Sequence, residues 1–220
     1  MEHQEKAVLF DLDGTLVDTI GDITAAINAA LVAFSISPLE EAEGKKVVGN
    51  GLRNAFLRAM ELRGREPSPS EVDRGYGLLM DHYRRHPTDR SLPYPGVEGL
   101  LASLSCPFGV LSNKADELTK RILFSLFPSV SFPFVLGMKE NLPRKPDPTT
   151  FRMFCAQERL SPSEVLYVGD SEVDWLLSRN AGCPLVLVSW GFRPRNELEK
   201  LEGATLCATI NELKERIHGM

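Results

Sequence analysis

The sequence predicts an α/β protein: a mostly parallel sheet of about five strands with helices on both faces, interrupted by an all-helical insertion. Three observations predict it. Five short apolar runs, "AVLF", "FGVLSN", "FPFVLG", "VLYVGD" and "PLVLVSW", are each followed by a polar loop or a helical pattern. Continuous apolar runs of this kind read as strands buried on both faces, as in parallel sheets. Between the first run and the second, residues 18 to 90 carry helical periodicity and no convincing strand. That segment closes on "PTDRSLPYPG", whose three prolines and glycine make a stiff, turn-rich crossing suited to a domain boundary.

Taken in order, "AVLF" runs straight into "DLDGTLVDT". Extended backbone repeats every two residues, so Asp11 and Asp13 project to the same side. Two like charges so close raise each other's pKa unless a cation or a shared proton relieves them. The pair is therefore a candidate acid, base, nucleophile or metal ligand. A single aspartate there would read instead as a helix N-cap. Ile20, Ile23, Ile27, Leu31 and Phe34 follow at spacings of three and four, an amphipathic helix. "GLRNAFLRAMELRG" and "SEVDRGYGLLMDHYRRH" continue the helical pattern around the loop Gly64 to Ser70. Residues 1–15 and 91–220 thus form the expected α/β core, and residues 16–90 the helical insertion.

Composition narrows the function. A chain of 220 residues, 43% hydrophobic, can bury a sizeable core. Its formal charge of −5, without a dense Lys/Arg run, disfavours nonspecific binding to nucleic acid or anionic lipid. Cys106, Cys155, Cys183 and Cys207 lie far apart with no C-x-x-C pair, so reduced buried thiols are expected rather than a zinc module or disulfide framework. No basic, apolar leader pattern opens the sequence, and no run of about 18 apolar residues occurs. The expectation is a cytoplasmic monomer or homodimer with no nucleic-acid or membrane partner.

The chemistry gathers at the strand ends, where ligands bind in open parallel sheets. Strand one delivers Asp11 and Asp13. Strand two delivers Ser112, Asn113 and Lys114. The loop after strand three carries "PRKPDP" with Lys145, and strand four delivers Asp170, with Asp174 one helical turn later. Singly these residues read as a helix cap, a surface lysine and a turn; together, at one edge of one sheet, they argue for a shared site. Several carboxylates facing one pocket need a hard divalent cation before they accept a further anion. Oxygen ligands without a His or Cys cluster select Mg²⁺. The Ser112 hydroxyl, neighbouring amides and the Lys145 ammonium supply the donors and positive charge that a phosphoryl group requires. Neither a G-x-x-x-x-G-K-[ST] loop nor a G-x-G-x-x-G turn after a strand is present, which removes support for a kinase, ATPase or dehydrogenase.

With "DLDGT", Ser112, Lys145 and "GDSEVD" in this order, the sequence resembles the haloacid dehalogenase-like hydrolases. Within them it looks most like the phosphoglycolate phosphatase group, through "VVGNGLRNAFLRA", "YPGVEGLLASL", "LSNKADE", "KPDP", "VGDSEVD" and "NAGCP". Many relatives carry acidic residues where this chain has Met138 and Lys139. The resemblance implies a Rossmann-like core with a helical cap and Mg²⁺-dependent hydrolysis of a small phosphorylated metabolite through an aspartyl-phosphate. It implies Asp11 as nucleophile, Asp13 as acid and base, and Lys145 as a catalytic and phosphate-binding cation. Ser112, Asn113, Gly14 and Thr15 would complete the phosphate site. Asp11, the Asp13 carbonyl, Asp170 and Asp174 would hold the metal, Asp174 through water or by orienting its neighbours. Gly49, Asn50, Gly51 and Arg53 would form the cap's substrate loop. A phosphomutase of the beta-phosphoglucomutase kind and a pyrophosphatase share these motifs. A phospho-accepting signalling domain is the alternative from another class, disfavoured because such domains place the reactive aspartate after the third strand.

Overall fold

The computed structural model describes residues 6–49 and 51–219. In chain order the elements are β1 (Ala7–Phe10), β2 (Val17–Asp18), α1 (Ile20–Ala33), α2 (Glu41–Val47), α3 (Leu52–Leu62) and α4 (Pro69–Arg85). After these come β3 (Leu92–Pro93), α5 (Val97–Ala102), β4 (Phe108–Ala115), α6 (Asp116–Leu126), β5 (Phe134–Met138) and α7 (Thr149–Glu158). A 3-10 turn over Pro162–Glu164 leads into β6 (Val165–Gly169), followed by α8 (Glu172–Ala181), β7 (Leu185–Val188), α9 (Arg195–Leu198), β8 (Thr205–Cys207) and α10 (Ile210–His218). The chain divides into two units, Met1–Asp18 with Pro93–Met220, and Thr19–Leu92.

In the first unit, six strands pair in the order β5-β4-β1-β6-β7-β8, each neighbour parallel. Alternation along β1 sends Ala7 and Leu9 to one face, where they pack with Phe151 and Phe154 of α7 and Leu177 of α8. Val8 and Phe10, also fully buried, point the other way. Both faces are therefore covered, which is why the strands read as unbroken apolar runs. The chain lays β4 and β5 on one side of β1, then returns to lay β6, β7 and β8 on the other. This reversal beside β1 brings the carboxyl ends of β1, β4 and β6 around one crevice.

The sheet carries a sixth strand beyond the five read from sequence. β8 has only three residues, with Thr205 exposed and Leu206 half-buried, too short and too polar to show a period. It forms because β7 offers it an open parallel edge, Val186 to Val188 against Thr205 to Cys207. Two further short strands, β2 and β3, pair as a separate two-stranded sheet.

The second unit is helical. Ile20, Ile23, Ile27 and Leu31 of α1 are buried and α1 packs against α2, α3 and α4. Gly75 lets α4 approach α3, since any Cβ there would collide with the Phe56 ring. The α4 start has a full capping box from Ser68 and Glu71, with Pro69 in the first turn. Asp22, 2% exposed, accepts from Arg90 N (3.0 Å), Ser91 N (2.8 Å) and Ser91 Oγ (2.5 Å), tying the outgoing segment to α1.

Candidate active site

β1 ends at Asp11, whose N–H still bonds Val168 O of β6 at 2.8 Å. The chain then turns tightly: Leu12 O accepts from Thr15 N, Leu16 N and Val17 N at 3.0 to 3.2 Å. Gly14 makes the turn at φ +80°, a region costly for other residues. The same glycine is required by the site, because a Cβ on it would strike the Asp170 carboxylate, as would one on Gly191 from the loop after β7.

Three strand ends converge. One oxygen from each of Asp11, Asp170 and Asp174 lies within 4.8 Å of the others, and all three residues are buried. Lys145 reaches in from the loop after β5, its Nζ 2.9 Å from Asp11 Oδ1, 2.8 Å from Asp174 Oδ1 and 3.0 Å from Tyr167 Oη. Asn113 holds the Lys145 backbone with both ends of its carboxamide, accepting from Lys145 N at 2.8 Å and donating to Lys145 O at 2.9 Å. Asn180 Nδ2 donates to Pro146 O at 2.9 Å beyond the cis Lys145–Pro146 peptide.

Each aspartate has a distinct set of donors. Asp11 Oδ1 accepts from Leu12 N at 2.7 Å and pairs with Lys145, leaving Oδ2 without a protein donor among the described residues. Asp170 Oδ2 accepts from Phe192 N at 2.7 Å, and its Oδ1 has no protein donor among the described residues. Asp174 is saturated: Oδ1 takes Lys145 and Tyr167 Oη, and Oδ2 takes Asp170 N, Ser171 N and Ser171 Oγ. Asp174 therefore orients the Asp170 turn and Lys145, while Asp11 and Asp170 keep oxygens to offer.

Electrostatics explain what the cluster is built to hold. Burial pushes the Asp11 carboxyl up to about 7; Lys145 pulls it down, while Asp174 and Asp13 push it further. Burial raises Asp170 well above the ordinary carboxylate range, helped by Asp174 and Asp11 and opposed by Phe192 N–H. Burial favours a neutral Lys145, yet Asp11 and Asp174 overcome it and raise the ammonium's pKa. Three carboxylates against one ammonium leave two negative charges when all are ionised, which a divalent cation would balance. The oxygen-only donor set and the glycines that leave the Asp170 carboxylate room both suit a metal.

The remaining sequence candidates have defined places. Asp13, half-exposed, pairs with the buried Lys114 at 2.8 Å. Ser112 is 4% exposed and its Oγ accepts from Lys114 N at 3.2 Å. Thr15 is buried; its carbonyl accepts from Trp190 Nε1 at 3.2 Å while its Oγ1 finds no partner among the described residues. Gly49 and Gly51 both have positive φ, and Gly51 caps α3. Arg53 lies in the helical unit in an exposed pair with Asp73, Nε to Oδ1 at 2.7 Å. Asn50 lies outside the described residues.

Sequence reasoning missed the Lys114–Asp13 pair, Tyr167 and the Gly191–Phe192 loop. Lys114 itself was expected at this strand end, and only its pairing with Asp13 was not. Tyr167 was legible as the one polar handle in an apolar strand, whereas Phe192 acts through its main chain and leaves no side-chain signal.

An open parallel sheet with paired aspartates after its central strand, a buried lysine and an acidic turn after β6 defines an aspartate-centred α/β hydrolase with an inserted helical unit. The chain belongs to the haloacid dehalogenase-like hydrolase family, which it matches over residues 8–188. It is 34% identical over 96% of its length, and 94% of the relative's, to a phosphoglycolate phosphatase of Chromobacterium violaceum. A phosphoglycolate phosphatase of Cereibacter sphaeroides is 38% identical over 87% of this chain and 89% of its own. A solved structure from Lactobacillus delbrueckii subsp. bulgaricus superposes with a TM-score of 0.91 at 29% identity, covering 99% of both chains. A predicted phosphoglycolate phosphatase from Haemophilus somnus gives 0.84 at 27% identity, covering 97% of this chain and 98% of that one.

Proposed function

We propose that the chain is a Mg²⁺-dependent phosphatase of a small phosphorylated metabolite, phosphoglycolate first, acting through an aspartyl-phosphate on Asp11. The observation that carries this reading is the asymmetric Asp11 carboxylate. Two donors hold Oδ1 while Oδ2 faces no protein donor among the described residues, an oriented oxygen ready to attack. The names of the relatives above support phosphoglycolate as the first substrate to test.

In the first half-reaction Asp11 Oδ2 bonds to phosphorus, the ester P–O bond breaks, and Asp13 gives the departing alkoxide its proton. In the second, Asp13 takes a proton from water, whose oxygen attacks phosphorus and releases the Asp11 carboxylate and inorganic phosphate. Lys145 and the Ser112 hydroxyl bind the phosphoryl oxygens, with the main chain at Gly14, Thr15 and Asn113. Asp11, the Asp13 carbonyl and Asp170 are the groups that would hold Mg²⁺, with Asp174 orienting them. When bound, the ion neutralises the excess negative charge and polarises the phosphoryl group. The helical unit, expected over residues 16–90 and found over Thr19–Leu92, excludes water and selects substrate, Gly49 to Arg53 being its candidate loop.

The test is phosphate release from a panel of phosphorylated metabolites, with Mg²⁺ and with excess chelator, followed by acid trapping of labelled Asp11. Release that stops reversibly on chelation and a trapped label on Asp11 are expected. Full turnover in chelator overturns the metal assignment, and hydrolysis without a trapped intermediate in single turnover overturns the covalent one.

A further inference from the structure

Residues 190–192, in the loop between β7 and α9, touch in turn the two chain segments that carry the aspartates of the site. Trp190 is half-buried, and its Nε1 donates to Thr15 O at 3.2 Å, a bond between residues 175 positions apart. Gly191 packs between the segments: a Cβ there would collide with Gly14 O on one side and with the Asp170 carboxylate on the other. Phe192 N donates to Asp170 Oδ2 at 2.7 Å. The root of the loop is fixed, since Ser189 N bonds Cys207 O at the end of β8 at 3.0 Å. The Trp190 ring also stands 6.4 Å from the ring of Tyr94, whose N–H donates to Leu16 O at 3.1 Å. Neighbouring carbonyls of the turn after β1 are thus held by Trp190 and Tyr94. Gly191 and Phe192 meet Asp170 through main chain, whereas Trp190 meets the β1 turn with a side-chain donor.

The groups proposed above to hold Mg²⁺ come from these two segments: Asp11 and the Asp13 carbonyl from the β1 turn, and Asp170 from the turn after β6. With no cation between them, Asp11 and Asp170 repel. Mg²⁺ demands near-ideal octahedral geometry, so its affinity depends on how closely its ligands are preset. Groups that orient ligands without touching the ion are worth about 10- to 100-fold in metal affinity. An indole suits such a tie. Its N–H is a donor only and does not compete for the cation, and two side-chain torsions leave little freedom to lose.

We infer that Trp190 is a positioning residue of the metal site: its hydrogen bond to Thr15 O fixes the turn carrying Asp11 and Asp13 against Asp170, and so presets the site for Mg²⁺. This rests on the Mg²⁺ reading above. In this role Trp190 touches neither the ion nor the substrate.

The experiment measures the Mg²⁺ affinity of the full chain without substrate, from the Mg²⁺ dependence of its protection against thermal unfolding. Trp190→Phe keeps an aromatic ring beside Tyr94 and removes the donor. Its Mg²⁺ Kd should rise about 10-fold or more, and the Mg²⁺ needed for half-maximal phosphate release should rise by the same factor. A lower metal-free melting temperature with an unchanged Kd makes Trp190 a packing residue and overturns the inference. Should that variant not fold, Trp175→Phe decides, because its one remaining indole is Trp190. The emission of that protein should change over the Mg²⁺ range that raises its melting temperature; constant emission overturns the inference. Wild-type protein that gains no protection from Mg²⁺ removes the metal reading itself.

Discussion

Two carboxylates in the two units are driven in opposite directions. Asp11, at the end of β1, is pushed up to about 7 by burial against neighbouring aspartates. Glu43, on α2 of the helical unit, is drawn down to about 2, first by its hydrogen bond from Arg63 and then by the Glu40 N–H. Arg63 grips Glu43 with Nη1 at 2.8 Å and Nη2 at 2.6 Å, a forked arrangement that favours the ionised acid. The α/β unit thus stores unrelieved negative charge where a ligand would relieve it, whereas the helical unit spends its ion pairs on its own fold. A site that must bind a cation and a phosphoryl group is expected to be electrostatically incomplete by itself.

The sharpest way to break this contrast is Asp11→Asn. If Asp11 is the nucleophile, the variant should fold and release phosphate about 10⁴-fold more slowly or worse, since an amide is a poor nucleophile. Initial rates alongside circular dichroism check both halves. Substantial turnover by the folded variant would assign the attack to water.

Asp13→Asn should cost less. Its proposed work is proton transfer, worth about 10² to 10⁴ in kcat. Mg²⁺ affinity should be nearly kept, because the carbonyl and not the side chain is assigned to the metal. Phosphorylation by an aryl phosphate, whose oxygen leaves without a proton, should recover much of the loss in single turnover. Equal losses with aryl and alkyl esters would take Asp13 out of the acid role.

A smaller effect separates the units by pH. The raised Asp11 value means the metal-free folded chain holds that proton more tightly than the unfolded chain. Its contribution is complete below the ordinary value of 3.8 and is lost as pH climbs to about 7. Glu43 behaves in reverse: its contribution is complete above 4.5 and is lost as pH falls to about 2. Melting curves in chelator should therefore show Asp11→Asn flattening the near-neutral limb and Glu43→Gln flattening the acid limb. A wild-type near-neutral limb that Asp11→Asn leaves in place would remove Asp11 as its source.

The smallest expected change is the stability of Arg53→Ala. Its pair with Asp73 is exposed on both sides, so less than about 1 kcal/mol should be lost. Because so weak a pair is easily given up, a raised KM with an unmoved melting temperature would identify Arg53 as a substrate contact, and an unmoved KM would remove it from the cap loop.

Much of the architecture was open to reading because it is written in local repeats. Apolar runs of strand length, with turn residues after them, located β1, β4, β5, β6 and β7, and the spacing of Ile20, Ile23, Ile27 and Leu31 located α1. β8 was hidden because its edge position needs little burial, and α2 because only Gly44 and Val47 of its seven residues are buried. The donors from Phe192 and Leu12 were hidden for another reason: they are main-chain groups that any residue could supply.

By itself the sequence determined which residues stand at the carboxyl ends of the strands. Backbone periods of two and 3.6 follow from local sterics and need no knowledge of the rest of the chain. Asp11 and Asp13 on one side of a strand end, and Asp170 and Asp174 one helical turn apart, are consequences of that kind. Only the tertiary structure decided how their charges are shared. It set Lys145 between Asp11 and Asp174, closed Asn113 on the Lys145 backbone, filled both Asp174 oxygens and paired Lys114 with Asp13. Those choices join residues distant in sequence through strand order and register. Coulomb and hydrogen-bond energies depend on distances of a few ångströms, and local periodicity carries no information about them.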